Sequence, residues 1–255
     1  MIKLEVEKVP ASHGWLWIKH GYRLIMRSPL QAFSLAMMFV LGLFVAMLVP
    51  LVGVLLAILL MPVLLAGYMR VCRALEFNEA VQPRYIFAGF ESRAAQLVAV
   101  GGMLLLGMMI ISMVITALGG PELKAVLSSY QTQQDPTAFI DSLLAPASGL
   151  RLVLLSAFAL FFLLMLALQF APMLVFFNQM APLQALKVSL LASIRNILPF
   201  AVYSLIMQLI AFVLSVIPLG LGLIILLPLG LTSMYVAYRD IFSETQIPET
   251  DKAAE

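Results

Sequence analysis

Charge is what this sequence has least of. Lysine, arginine, aspartate and glutamate make up 11% of 255 residues, against about 25% in a soluble globular domain. The few charges also cluster. No Asp, Glu, Lys, Arg or His falls between Arg27 and Arg70 (42 residues), Arg93 and Glu122 (28), Arg151 and Lys187 (35), or Arg195 and Arg239 (43). About 18 uncharged apolar residues suffice to cross a bilayer, so four such runs exclude a soluble domain. Cysteine is nearly absent. The lone Cys72 rules out a disulfide framework and every multi-cysteine metal motif. A net charge of +2, spread along one face, leaves no electrostatic footprint for nucleic acid. HExxH, a P-loop, a nucleophile elbow and neighbouring carboxylate pairs are all missing. The expectation is a protein that is not an enzyme and holds no cofactor or metal. A secretory signal is excluded as well, because the first apolar stretch is too long and no small-residue cleavage site follows it.

What is present is apolar and ordered by length. A 42-residue helix would be about 63 Å long at about 1.5 Å per residue, twice the hydrocarbon core. The first and last runs must therefore fold back, at Pro50 and at Ile217-Pro218-Leu219-Gly220. The expected spans are about 30–49, 51–73, 94–118, 151–178, 197–217 and 219–240. This is an all-α fold, a polytopic transmembrane helical bundle. Its membrane domain is expected over 12–242, with an external insert at 119–150. A cytoplasmic N-terminal segment (1–11) precedes it and a polar, disordered cytoplasmic tail (243–255) follows. With six spans both termini share a side. Thirteen Lys and Arg lie on that side, against Lys124 and Arg151 on the other, and basic residues stay cytoplasmic.

The chain also repeats. PLQA occurs at Pro29–Ala32 and at Pro182–Ala185, but that offset brings no other features into line. An offset of 168 pairs Arg27 with Arg195 and Pro50 with Pro218; two fewer residues in the return helix pair Pro62 with Pro228 and Arg73 with Arg239. Each copy reads as an amphipathic elbow ending in Arg, a helix, a Pro turn, and a Pro-bearing return helix closed by Arg. The middle third reads as a diverged third copy, with its elbow at Ala80–Arg93 and its return proline at Pro172. All copies enter from the cytoplasm, as parallel repeats do.

The elbows read as interfacial helices. In the first, Trp15, Ile18, Tyr22 and Ile25 oppose Lys19, Arg23 and Arg27; in the third, Leu183, Leu186, Leu190 and Ile194 oppose Gln184, Lys187 and Arg195. Arg27, Arg73, Arg195 and Arg239 end spans where long basic side chains reach lipid phosphates, which makes them the candidate headgroup contacts. The insert holds two amphipathic stretches, Leu123–Tyr130 and Phe139–Leu144, separated by Asp135-Pro136. His13 and His20 share no metal-ligand spacing with Cys72. Inside the spans no carboxylate, His or Lys offers ion coupling. A lone amide in hydrocarbon seeks a partner on another helix, so Gln169, Gln208 and Asn178 are the candidate interhelical contacts.

The stretches APLQALKVSLLASIRNILPF and YVAYRDIF carry a resemblance. Over roughly residues 10–243 the chain resembles an uncharacterised family of bacterial six-helix inner-membrane proteins, distantly similar to the membrane domain attached to some glycerophosphodiester phosphodiesterases. The resemblance implies a fold and a multi-pass inner-membrane location. It supplies no catalytic residues, and no soluble phosphodiesterase domain is present. The expected role is a scaffold or accessory in envelope or lipid processes; the alternative is a passive transporter or channel for an apolar or amphiphilic substrate. Membrane lipids are the expected partners, with a protein partner or a second copy left open. A lipid-filled cavity between repeats would favour the transporter and a tight bundle the scaffold.

Overall fold

The computed structural model describes residues 3–133, 149–216 and 222–245. In chain order these are β1 (Lys3–Val6), α1 (His13–Arg27), α2 (Pro29–Met47), α3 (Gly53–Glu76), a 3-10 turn (Pro83–Phe87), α4 (Ala88–Ser92) and α5 (Ala94–Gln133). Then come α6 (Gly149–Gln169), α7 (Ala171–Phe177), α8 (Pro182–Arg195), α9 (Ile197–Ser215), α10 (Leu223–Ile241) and β2 (Phe242–Thr245). Six helical segments are long and apolar enough to cross a membrane: Pro29–Met47, Gly53–Glu76, Ala94–Gly120, Arg151–Phe177, Ile197–Ser215 and Ile224–Ile241. The chain is a multi-pass helical bundle.

The repeat register is legible in the element ends. Helices α2 and α9 are both 19 residues long, and Pro29 with Met47 maps onto Ile197 with Ser215 at the offset of 168. Elbows α1 and α8 each end on an arginine, Arg27 and Arg195, at the same offset. PLQA opens a span in one place and an elbow in the other. Proline suits the first turn of any helix, since its missing N–H has no partner there, and that common need explains the coincidence. The middle third follows the same plan, with the 3-10 turn and α4 as its elbow, Arg93 just past α4, and α5 next.

The three elbows close a ring. Each precedes its own hairpin but docks on the hairpin before it: the second elbow on α3, the third on α6, and α1 on α9 and α10. The return helices of the first and third units form the centre. Over their most apolar windows α3 is 56% and α10 44% buried, whereas α5 and α9 are 11% buried and turn their side chains outward. In lipid no hydrophobic force drives helices together, so association rests on close packing and hydrogen bonds. Small residues supply the packing. A Cβ on Gly67 would sit 1.9 Å from the Ile86 carbonyl oxygen, and one on Gly21 would lie 2.6 Å from Ser233 Oγ.

The third elbow uses a hydroxyl. Ser189 Oγ donates to the Leu166 carbonyl (3.0 Å) and accepts from the Phe170 amide (3.0 Å). It thus occupies the place of one helical hydrogen bond, where the fourth span breaks into α6 and α7 beside Pro172. A side chain inserted in the ladder is a recognised cause of kinks. Pro62 and Pro228, by contrast, lie inside continuous helices.

Three expectations need correction. The buried face of α1 is Gly14, Trp17, Ile18, Gly21, Leu24 and Ile25, while Trp15 and Tyr22 are 50% and 54% exposed. On α8 the buried residues are Ala185, Ser189, Ala192 and Ser193, with Leu183 and Ile194 outside. Small residues allow close approach between membrane helices, so glycine, alanine and serine mark the packed faces along with the apolar side chains between them. Second, α5 continues unbroken through Gly119, Gly120 and Pro121 to Gln133, although glycine and proline ordinarily favour a stop there. Leu123–Tyr130 is therefore part of α5 rather than a separate helix; Phe139–Leu144 lies outside the described residues. Third, the tail does not turn disordered at 243. β2 pairs antiparallel with β1, Lys3 opposite Thr245 and Val6 opposite Phe242. Composition cannot show that a polar segment will find an edge strand from the other end of the chain.

Candidate functional site at the elbow end of the bundle

The polar chemistry of the described residues gathers at the end of the bundle that carries the elbows and the strand ribbon. Glu76 closes α3. Its Oε2 accepts from Arg239 Nη1 (2.9 Å) and from the Tyr235 hydroxyl (2.6 Å), both on α10. Arg27 Nη1, at the end of α1, donates to the Leu75 carbonyl (2.8 Å) and to that of Glu76. A cation at a helix C-terminus satisfies orphan carbonyls and opposes the macrodipole. Asp240 is the second hub. Its Oδ2 lies 2.7 Å from His13 Nδ1 and accepts from Trp17 Nε1 at 2.7 Å. Trp17 is 1% exposed and packs on Phe200 and Tyr203.

Other bonds extend the belt. Arg195 Nη1 donates to the Val6 carbonyl (3.0 Å). Asn196 accepts from the Val9 amide and donates to the Glu7 carbonyl, both at 2.9 Å. The Tyr238 hydroxyl donates to Asn178 Oδ1 (2.5 Å). The guanidinium of Arg73 lies over the rings of Phe177 (5.5 Å) and Phe77 (6.0 Å).

Asn178 thus makes the interhelical contact expected of it. Gln169 and Gln208 make none among the described residues. Gln169 is half-buried on a groove between α6 and α9, and Gln208 is exposed on α9, an outer helix with little packed against it. Arg27, Arg195 and Arg239 are brought onto protein acceptors, and Arg73 onto aromatic faces. Glu76, Asp240, Trp17, Ser189 and Asn196 were not singled out by the sequence. A usable signal existed for two of them, since each acid stands beside a span-closing arginine or its i+3 position: Asp240 after Arg239 and Glu76 after Arg73.

Three cavities open here. One of ≈ 420 Å³ is lined by Arg73, Phe77, Phe177, Tyr235, Tyr238, Arg239 and Phe242. A neighbour of ≈ 270 Å³ shares Tyr235 and Arg239 and adds His20, Arg23, Arg27 and Glu76. The third, ≈ 600 Å³, is the groove between α6 and α9, largely apolar with Gln169, Tyr203 and Ser204 on its wall. Among the described residues no three metal-ligating side chains come together.

No family model and no solved structure matches the chain. A protein of Burkholderia thailandensis named "Probable inner membrane protein" is 28% identical to it over 261 aligned residues, covering 94% of each chain. That similarity covers nearly the whole of both chains, and with the six apolar helices it marks a multi-pass membrane protein.

Proposed function

We propose that the chain is a non-enzymatic scaffold or accessory protein of the bacterial inner membrane, working in lipid or envelope processes with both termini in the cytoplasm. One observation carries this reading: Glu76, Asp240, Arg195, Asn196 and the Tyr238–Asn178 pair at the elbow end tie the three units to one another. Glu76 joins the first unit to the third, Asp240 joins the third to the first elbow, and Arg195 and Asn196 hold the strand that leads into that elbow. The spans carry no carboxylate, His or Lys at membrane depth to couple transport to protons or ions. The excess of Lys and Arg on the elbow side supports its cytoplasmic placement.

The second reading, a passive carrier of an amphiphile, has the α6–α9 groove in its favour. Reconstitution separates the two. Vesicles containing the purified chain should exchange a labelled phospholipid between leaflets, and leak a small amphiphile, no faster than vesicles without it. Flux that rises with protein content would establish the carrier instead.

A further inference from the structure

We infer that the ≈ 420 Å³ cavity is a binding site for one phosphate group, located where the three return segments converge. This goes beyond the scaffold reading and holds equally for a carrier. Each unit contributes to the wall: Arg73 and Phe77 from the first, Phe177 from the second, Tyr235 and Arg239 from the third. No unit alone could build it.

One of the two cavity cations has no counter-ion among the described residues. Arg73 makes no hydrogen bond or ion pair among the described residues; its guanidinium is held only by the faces of Phe77 and Phe177. Arg239 lies on the other approach to Phe77, 5.8 Å from its centroid, and spends one nitrogen on Glu76. That carboxylate is occupied by Arg239 and Tyr235 together. The adjoining cleft adds Arg23, Arg27 and His20 and no acid beyond Glu76.

An arginine at this end of a helix can serve merely to cap carbonyls. Arg27 does so, with two bonds to the end of α3. Arg73 reaches no carbonyl, which separates it from that role. A planar guanidinium pinned by aromatic rings, with its donors unspent, matches the oxygens of a phosphate. The cavity size suits a small ligand, and span ends with aromatic side chains lie at headgroup depth. The phosphate belongs either to an anionic phospholipid or to a soluble phosphate monoester.

The test uses the full chain in nonionic detergent. Native mass spectrometry follows titration with phosphatidylglycerol and phosphatidic acid, and calorimetry follows glycerol phosphate. One equivalent should bind saturably, and Arg73→Gln should weaken binding about tenfold to a hundredfold, as loss of a charge-assisted bond does. Arg73→Lys should recover part of it. Lys187→Gln, an exposed charge on α8 outside the cavity, should leave binding unchanged. Melting temperature and elution volume report that each variant is folded. Binding of lipid alone assigns the site to a headgroup; binding of glycerol phosphate as well assigns it to the phosphate itself. If Arg73→Gln binds like the parent, if it and Lys187→Gln lose affinity equally, or if neither class of phosphate saturates, the site does not exist.

Discussion

Gly67→Ala is expected to leave little folded protein. The added methyl would stand 1.9 Å from the Ile86 carbonyl oxygen and 2.5 Å from its carbon, and neither atom is the end of a flexible side chain. Relief requires the second elbow to lift off α3. Its other contact cannot absorb the shift, because a Cβ on Gly89 would meet the Val63 carbonyl at 2.3 Å, so backbone already touches backbone at both ends. Overpacking a tight core costs about 1–3 kcal/mol and sometimes more, a large share of a total of about 5–15 kcal/mol. Gly102→Ala is the control, since nothing lies within 4 Å of the place its methyl would take and alanine is the better helix former. Monodisperse yield in detergent and melting temperature decide it. Equal stability of the two variants would mean that the second elbow does not dock as described.

Trp17→Ala should cost about 3–5 kcal/mol, as truncating a large buried aromatic does. The indole fills the seam between α1 and the third hairpin, with Phe200 5.0 Å and Tyr203 6.2 Å from it between ring centroids. Its N–H is one of two groups held by Asp240 Oδ2. Trp17→Phe keeps most of the packing and loses the hydrogen bond, so its loss should be only about 1–3 kcal/mol. A thermal melt of the three proteins should rank them parent, Phe, Ala. Trp15→Ala, by contrast, removes a half-exposed ring and should leave the melt near that of the parent.

The two tryptophans show where sequence reasoning reached and where it stopped. Span number, span ends and the 168-residue register could be read because they rest on long uncharged runs and on proline and arginine landmarks. Which face of an elbow is buried could not be read from apolarity. Trp15, Ile18, Tyr22 and Ile25 read as one membrane-facing stripe of α1, yet only Trp15 and Tyr22 are exposed, while Ile18 and Ile25 join Gly14, Gly21 and Trp17 against protein. The glycines carried the usable signal, because close approach of backbones needs residues without side chains. Glu76 and Asp240 were overlooked for a related reason. Read as isolated charges beyond the spans they look solvated, and only the ring brings Tyr235, Arg239, His13 and Trp17 to them. Gln208 failed in the opposite way: an amide in an apolar helix suggests a partner, but Gln208 stands on the exposed face of α9.

The central claim is that three elbow-and-hairpin units close into a ring whose seam joins the two ends of the chain. The most direct test is a crosslink across that seam. Val6 turns its carbonyl away from β2 to Arg195, so Val6 and Phe242 are a non-hydrogen-bonded pair, and by alternation so are Leu4 and Glu244. Backbones in such pairs lie closest, about 4.5 Å between Cα atoms. Leu4→Cys with Glu244→Cys, in a Cys72→Ser background with a protease site placed between residues 134 and 148, should form a disulfide on mild oxidation of isolated membranes. After proteolysis the two halves should then run as one monomer-sized band without reductant and separate with it. Pretreating intact cells with a membrane-impermeant thiol blocker should leave the crosslink intact under the proposed orientation, which puts both ends in the cytoplasm. Halves that separate without reductant, or a crosslink found only between two chains, would contradict the ring.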